Sequence, residues 1–199
     1  MKFIPSLFLL VFALIAAGCA NRDPRVREGT VYLGGFQSEG EHGRANFDDV
    51  SYWDGDGVQG SPSVKISLGE QRAYFYKSGE LVGVSTISTG REGFSTPTGT
   101  YKILQKDKDH KSSLYGDYVD AAGNVVKKDI DTKKDPKPPG TIFDGARMPY
   151  FMRITGGVGM HEGFLPGYPA SHGCIRMPPF MAMAFFDNLS VGTPVTITH

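Results

Sequence analysis

Cys174 lies in the run Ser171-His172-Gly173-Cys174-Ile175-Arg176, and His161 precedes it by one short stretch of chain. A thiol beside histidines can act as a nucleophile: an ordinary cysteine, with a pKa of about 8.5, is a few per cent thiolate at neutral pH and needs a base or a positive environment to react. Attack on a carbonyl creates an oxyanion, and backbone N–H groups at Gly173 and Cys174 are natural donors for it if a tight turn aims them at one point. Two histidines compete for the base. In an extended segment His172 and Cys174, two apart, project to the same side, which locally favours His172 over His161. Ser171 suits a role in holding the loop, and Arg176 suits either a substrate carboxylate or a structural ion pair. The bland alternative for Cys174 is a small buried hydrophobe, and polar His172 and charged Arg176 beside it argue against that.

A zinc site from His161, His172 and Cys174 is a competing expectation, but the fourth ligand and the common Cys-x-x-Cys or His-Glu-x-x-His patterns are missing. Neither metal nor cofactor is expected. Asp54-Gly55-Asp56-Gly57 reads as a surface turn, because the later acidic positions of a calcium loop are absent. Formal net charge is zero over the 199 residues, without long charged blocks, so nucleic acid is not an expected partner.

The chain has two cysteines, and the other is Cys19. Met1-Lys2, an apolar run over residues 3–17 and small residues before Cys19 read as a signal peptide, residues 1–18. The Ala16-Ala17-Gly18-Cys19 junction resembles a bacterial lipobox, in which the cysteine is lipidated and anchors the protein to a membrane. Ala20 in place of an inner-membrane retention residue such as Asp favours the outer membrane, with the protein facing the periplasm. Lipidation of Cys19 leaves Cys174 without a disulfide partner, in a compartment where cysteines otherwise pair.

Roughly 180 residues then remain, enough for one domain with its own core. Residues 19–61 read as a tether and N-terminal extension that ends by packing on the domain, and residues 62–198 as the domain itself. Val64, Ile66 and Leu68 alternate with polar residues, and two further strands follow through Ala73-Tyr74-Phe75-Tyr76 and Leu81-Val82-Gly83-Val84, giving a β-meander. Residues 105–149 intersperse lysines and aspartates around Pro136-Lys137-Pro138-Pro139-Gly140. They read as a surface insertion with little to fill a core, either a lid or an appendage. Tyr115 and Tyr118 offer aromatic surface there, and Tyr150 and Tyr168 are candidates to border a cleft. Short strands then deliver His161, Pro178-Pro179 opens a helix after the cysteine, and Val195-Thr196-Ile197 is a last strand. His42, His110 and His199 read as solvated.

The motifs Glu70-Gln71-Arg72-Ala73-Tyr74-Phe75-Tyr76, Ser88-Thr89-Gly90, Thr96-Pro97-Thr98-Gly99-Thr100, His161, Ser171-His172-Gly173-Cys174-Ile175-Arg176-Met177 and Gly192-Thr193-Pro194-Val195, in this order, resemble a YkuD-type L,D-transpeptidase domain. The resemblance implies a mainly β fold, a YkuD-like sandwich of mixed sheets with a short helix after the cysteine. It implies action on peptidoglycan stem peptides: Cys174 attacks the carbonyl of the L-centre residue at position three of a tetrapeptide stem, D-alanine leaves, and an amine resolves the acyl-enzyme into a 3→3 cross-link or an attached protein. It assigns the base to His161, leaving His172 to steady the turn or line the pocket, with Ser171, Arg176 and Tyr150 as substrate-side candidates. Glu162 stands where the family commonly has glycine, and the stretch from His161 to Ser171 is shorter than usual. Water as acceptor would make the protein an L,D-carboxypeptidase or endopeptidase. A non-catalytic peptidoglycan-binding lipoprotein is the third reading.

Overall fold

The computed structural model describes residues 51–199 together with the backbone strand β1 (Val31–Tyr32). Cys19, the signal peptide and most of the expected tether lie outside the described residues.

Alternation builds the first layer. In β3 (Pro62–Ser67) Val64 and Ile66 are buried while Lys65 is exposed, the period-two pattern of a half-buried strand. β3 pairs antiparallel with β4 (Arg72–Lys77), and β4 with β5 (Glu80–Thr86), which is the expected meander. The short β2 (Tyr52–Trp53) then pairs with β5, and β1 with β2. On the other side of β3 runs β14 (Pro194–Thr198), parallel to it and antiparallel to β6 (Gly99–Lys102). The result is a seven-stranded mixed sheet in the order β1-β2-β5-β4-β3-β14-β6.

The second layer has four strands in the order β13-β12-β11-β7. β7 (Gln105–Asp107), β11 (Phe151–Thr155) and β12 (Val158–Glu162) are antiparallel neighbours, whereas β12 and β13 (Ile175–Met177) run parallel. One core fills the space between layers: Ile66, Phe75 and Val195 from the larger sheet meet Met152, Met160, Ile175 and Met177 from the smaller. The helix α1 (Pro179–Asn188) closes it with Met181, Ala182, Ala184 and Phe185, a spacing that puts them on one helical face. Pro179 in its first turn loses no hydrogen bond there. At the centre Phe75 stands edge-on to both Trp53 (5.0 Å) and Phe185 (5.1 Å), and truncating such a ring costs about 3–5 kcal/mol. The chain is thus mainly β, in mixed sheets, as expected.

Tyr52 and Trp53, within the expected N-terminal extension, are sheet residues with buried side chains, so the extension packs on the domain as a strand. A Cβ on Gly83 would sit 2.8 Å from the Trp53 ring, so a bare glycine on the neighbouring strand is what admits the indole. The insertion begins later than the expected residue 105, because β7 belongs to the scaffold. Beyond it, β8 (Lys111–Val119), β9 (Val125–Asp131) and β10 (Ile142–Arg147) form a three-stranded antiparallel sheet in the order β10-β8-β9. This insertion is folded, with Tyr118, Val119 and Ile130 buried. Its backbones approach closely: a Cβ on Gly116 would lie 2.2 Å from the Asp144 carbonyl oxygen, and one on Gly145 2.0 Å from that of Ser112. Cross-strand pairing also uses its charges, as between Lys111 and Asp144 at 2.9 Å.

Candidate active site

Cys174 precedes β13, and the parallel register sets its neighbours. Met160 is opposite Ile175 and His161 opposite Arg176. Ile175, Met177 and Met160 point into the core, so the alternate residues His161, Arg176 and, one step earlier, Cys174 share the other face. Strand geometry puts Cys174 and His161 at diagonal positions, about 8 Å between Cα atoms, near enough for their side chains to converge.

The turn before the thiol is tied from three sides. Ser171 Oγ accepts the Gly173 N–H at 3.0 Å and donates to the Cys174 carbonyl at 2.5 Å, which is the loop-holding role expected of it. Thr96 Oγ1 donates to the Gly173 carbonyl at 2.8 Å and accepts the Gly90 N–H at 3.0 Å. Ser88 exchanges both backbone hydrogen bonds with Arg176, and Gly90 bridges Ser171. Gly173 has φ +109°, a conformation that favours glycine. Its N–H is occupied by Ser171, which corrects the expectation of two free oxyanion donors and leaves the Cys174 N–H as the donor of the turn.

The two histidines differ in which lone pair is free. His161 is buried, and its Nδ1 lies 2.6 Å from the Glu162 carbonyl. A carbonyl only accepts, so Nδ1 carries the proton and Nε2 holds the lone pair. Burial depresses its pKa from 6.5 to about 4; the Glu162 hydrogen bond opposes this, and Arg176 and His110 add to it. His172 Nε2 lies 2.8 Å from a guanidinium nitrogen of Arg91. Arginine only donates, so this lone pair is taken. The His172 ring stacks on Tyr115 of β8 (4.3 Å) and stands edge-on to Phe94 (4.7 Å). Burial, then the Arg91 and Arg176 charges, push its pKa down.

Burial also pushes the Cys174 thiol up, against a hydrogen bond from the Gly159 backbone and the Arg176 and Arg153 charges. Its sulfur lies 3.5 Å from the Gly157 carbonyl, a contact of the neutral thiol. Burial thus disfavours the charged form of both groups, which suits the site to proton transfer during attack.

Arg176 is half buried, and among the described residues no carboxylate is paired with it. A Cβ on Gly163 would lie 2.9 Å from its side chain, so that glycine clears the path of its stem. Tyr150 is turned elsewhere: its ring packs against Phe186 at the edge of the core. Tyr115 and Phe94, not Tyr150, are the aromatic side chains that meet His172 of the cysteine turn. Tyr168 contributes its carbonyl to Ser88 Oγ at 2.7 Å. Arg91, Phe94 and Arg153 were not singled out by sequence; Arg91 carried a signal, since it directly follows the Ser88-Thr89-Gly90 motif. His110, expected to be solvated, is mostly buried and stacked on Phe151. Among the described residues no three His, Cys, Asp or Glu side chains are grouped to hold a metal ion.

Two mixed sheets around one core, with a cysteine turn at the head of a parallel strand and a buried histidine beside it, define the L,D-transpeptidase fold. The chain belongs to the YkuD family, whose L,D-transpeptidase catalytic domain model matches residues 61–197. Among solved structures it is similar to an L,D-transpeptidase from Mycobacterium smegmatis, with TM-score 0.53 and 22% identity over 70% of this chain and 59% of that one. It is also similar to one from Stackebrandtia nassauensis (TM-score 0.51, 19% identity, 71% of this chain and 57% of that one). A third, from Xylanimonas cellulosilytica, gives TM-score 0.52 and 21% identity over 71% and 62% of the two chains. At these identities the likeness is one of fold, and this chain spans less than two thirds of each of those chains. No curated protein matches it.

Proposed function

We propose that the protein is a peptidoglycan L,D-transpeptidase in which Cys174 is the nucleophile and His161 the general base. His161 Nε2 takes the thiol proton as sulfur attacks the carbonyl carbon of the position-three residue, and the Cys174 N–H steadies the oxyanion. The C–N bond to D-alanine breaks, the imidazolium returns its proton to the departing amine, and a thioester remains. An acceptor amine then attacks the thioester, its proton passes to Nε2, and the thiol is restored. Arg176, with Arg153 nearby, supplies positive potential for the carboxylates of a stem peptide. His172, its lone pair committed to Arg91, serves as a wall of the pocket.

The observation that carries this is the shared face of Cys174 and His161 on the β12–β13 ladder of a YkuD domain, with Nδ1 of His161 tied to a carbonyl and the Nε2 lone pair left uncommitted. Incubating the soluble domain with a tetrapeptide-stem muropeptide, with and without an added amine, and weighing the products tests it. A dimer or amine adduct lacking D-alanine supports transfer. Trimmed tripeptide that is unchanged by added amine replaces transfer with hydrolysis, and no turnover with either acceptor favours a binding protein.

The proposal extends to Cys19 as a lipidated N-terminus that holds the domain at the periplasmic face of a membrane, the outer one in a two-membrane cell. Labelling cells with a clickable fatty acid tests it: label should appear on the native protein and disappear in Cys19→Ala. A native protein that takes up no label contradicts lipidation.

A further inference from the structure

His110 occupies a position that catalysis as described does not use. Asp107 ends β7 opposite Phe151 of β11. One oxygen of its carboxylate lies 2.9 Å from His110 Nδ1, and the other accepts the Asp109 N–H at 3.2 Å, so a single carboxylate fixes the turn from 107 to 110. The His110 ring lies flat on Phe151, centroids 4.2 Å apart and planes 14° from parallel. Phe151 is fully buried, and its ring is 6.3 Å from that of His161. A Cβ on Gly159 would fall 2.6 Å from the same phenyl ring, so Phe151 is wedged between the turn and the strand that carries His161.

The same turn holds the way out of the insertion. The His110 carbonyl accepts the Met148 N–H at 2.8 Å, and the Lys108 carbonyl accepts that of Tyr150 at 2.9 Å. Between them the Pro149 carbonyl accepts the Glu162 N–H at 2.9 Å, and Glu162 supplies the carbonyl that fixes His161 Nδ1. Two routes therefore run from one turn to one imidazole: a packed route through Phe151, and a backbone route through Met148, Pro149 and Glu162.

We propose that the Asp107–His110 pair is a positioning device for His161, clamping Phe151 behind the imidazole and anchoring the 148–150 turn, whose Pro149 carbonyl holds the Glu162 N–H. The stack does the clamping, and Asp107 orients the stacking ring. This rests on His161 as the base where rates are concerned, but not where the imidazole itself is observed. A buried ring has few alternative rotamers, and displacing a catalytic group by about 1 Å can slow reaction about a hundredfold.

The test compares His110→Ala, His110→Phe and Asp107→Asn by acylation of Cys174 with a carbapenem under single-turnover conditions, alongside imidazole nitrogen NMR of His161. The expected result is a loss of about tenfold in acylation rate for His110→Ala, with the Nδ1–H signal of His161 shifted or exchange-broadened. His110→Phe, which keeps a flat ring on Phe151, should recover most of the rate and the native signal, and Asp107→Asn should fall between. An unmoved His161 signal in His110→Ala overturns the proposal, as does a His110→Phe variant no better than His110→Ala. Should His110→Ala fail to fold, Asp107→Asn, which removes no ring, carries the same NMR criterion. A His161→Ala variant that acylates at the native rate would remove His161 as base while leaving the NMR comparison to decide the clamp.

Discussion

The two flanks of Cys174 are built from different kinds of contact. On one side lies the β12–β13 ladder, where His161 is buried over the sheet that walls the common core and its environment is set by adjacent backbone. On the other side His172 is held by side chains from distant parts of the chain: Arg91 from the loop after β5 and Tyr115 from the insertion. The first flank fixes a tautomer and leaves a lone pair uncommitted. The second consumes a lone pair and presents a face. A single local pattern, histidine near cysteine, thus occurs twice with opposite chemical content, and whether the partner across each hydrogen bond accepts or donates decides which is which.

The sharpest way to break this contrast is to remove each histidine in turn. His161→Ala should slow carbapenem acylation of Cys174 by about a hundredfold or more, the range of a lost general base, whereas His172→Ala should cost about tenfold or less. Equal losses in single-turnover rates would erase the distinction between the flanks. Next in size is the loop that carries Arg91. A Cβ on Gly90 would sit 1.9 Å from the Phe94 carbonyl oxygen, so Gly90→Ala should destabilise the domain by about 1–3 kcal/mol in denaturant unfolding. It should also slow acylation through the displaced Thr96 and Ser171 contacts.

The buried imidazole adds a pH signature. Neutral His161 in the fold, with its pKa near 4, is replaced on unfolding by an imidazole that protonates at its ordinary value of 6.5. Its contribution to stability is thus full above pH 6.5 and drains away as pH falls toward 4. The melting temperature should drop between pH 7 and pH 5, and less steeply in His161→Gln; parallel slopes would mean that the imidazole is not desolvated. The smallest effect is expected at Arg91. Arg91→Ala removes one hydrogen bond, worth about 1 kcal/mol or about fivefold in rate at most. It should raise the pKa of His172 in an NMR titration, because the nearby cation is gone, and an unchanged titration would place Arg91 elsewhere in solution.

Sequence revealed one flank better than the other for physical reasons. The alternation of Val64 with Ile66 and the order of motifs from Ser88 to Arg176 are local or ordered signals, and they yielded the mixed β fold and the thiol. The spacing of His172 and Cys174 pointed to His172 only under an extended backbone, and Gly173 at φ +109° breaks that premise. The hydrogen bond that commits His172 spans 81 residues of chain, which no local pattern records. Tyr52 and Trp53 form a strand of two residues, too short for any period to register, and tertiary stacking on Phe75 holds it. The insertion concealed its sheet for a related reason: it presents charges outward in pairs such as Lys127 with Asp135, and its small core rests on few apolar residues, Tyr118, Val119 and Ile130 among them. His110 carries no motif and gains its position through a ring it meets only in the folded sheet.

The most direct measurement is mass spectrometry of the native domain and Cys174→Ala after incubation with tetrapeptide-stem muropeptides. The native protein should yield a cross-linked dimer that has lost one D-alanine, through a covalent adduct on Cys174, and the variant should yield neither. The same dimer from a correctly folded Cys174→Ala protein would contradict thiol acyl transfer as the activity of this domain.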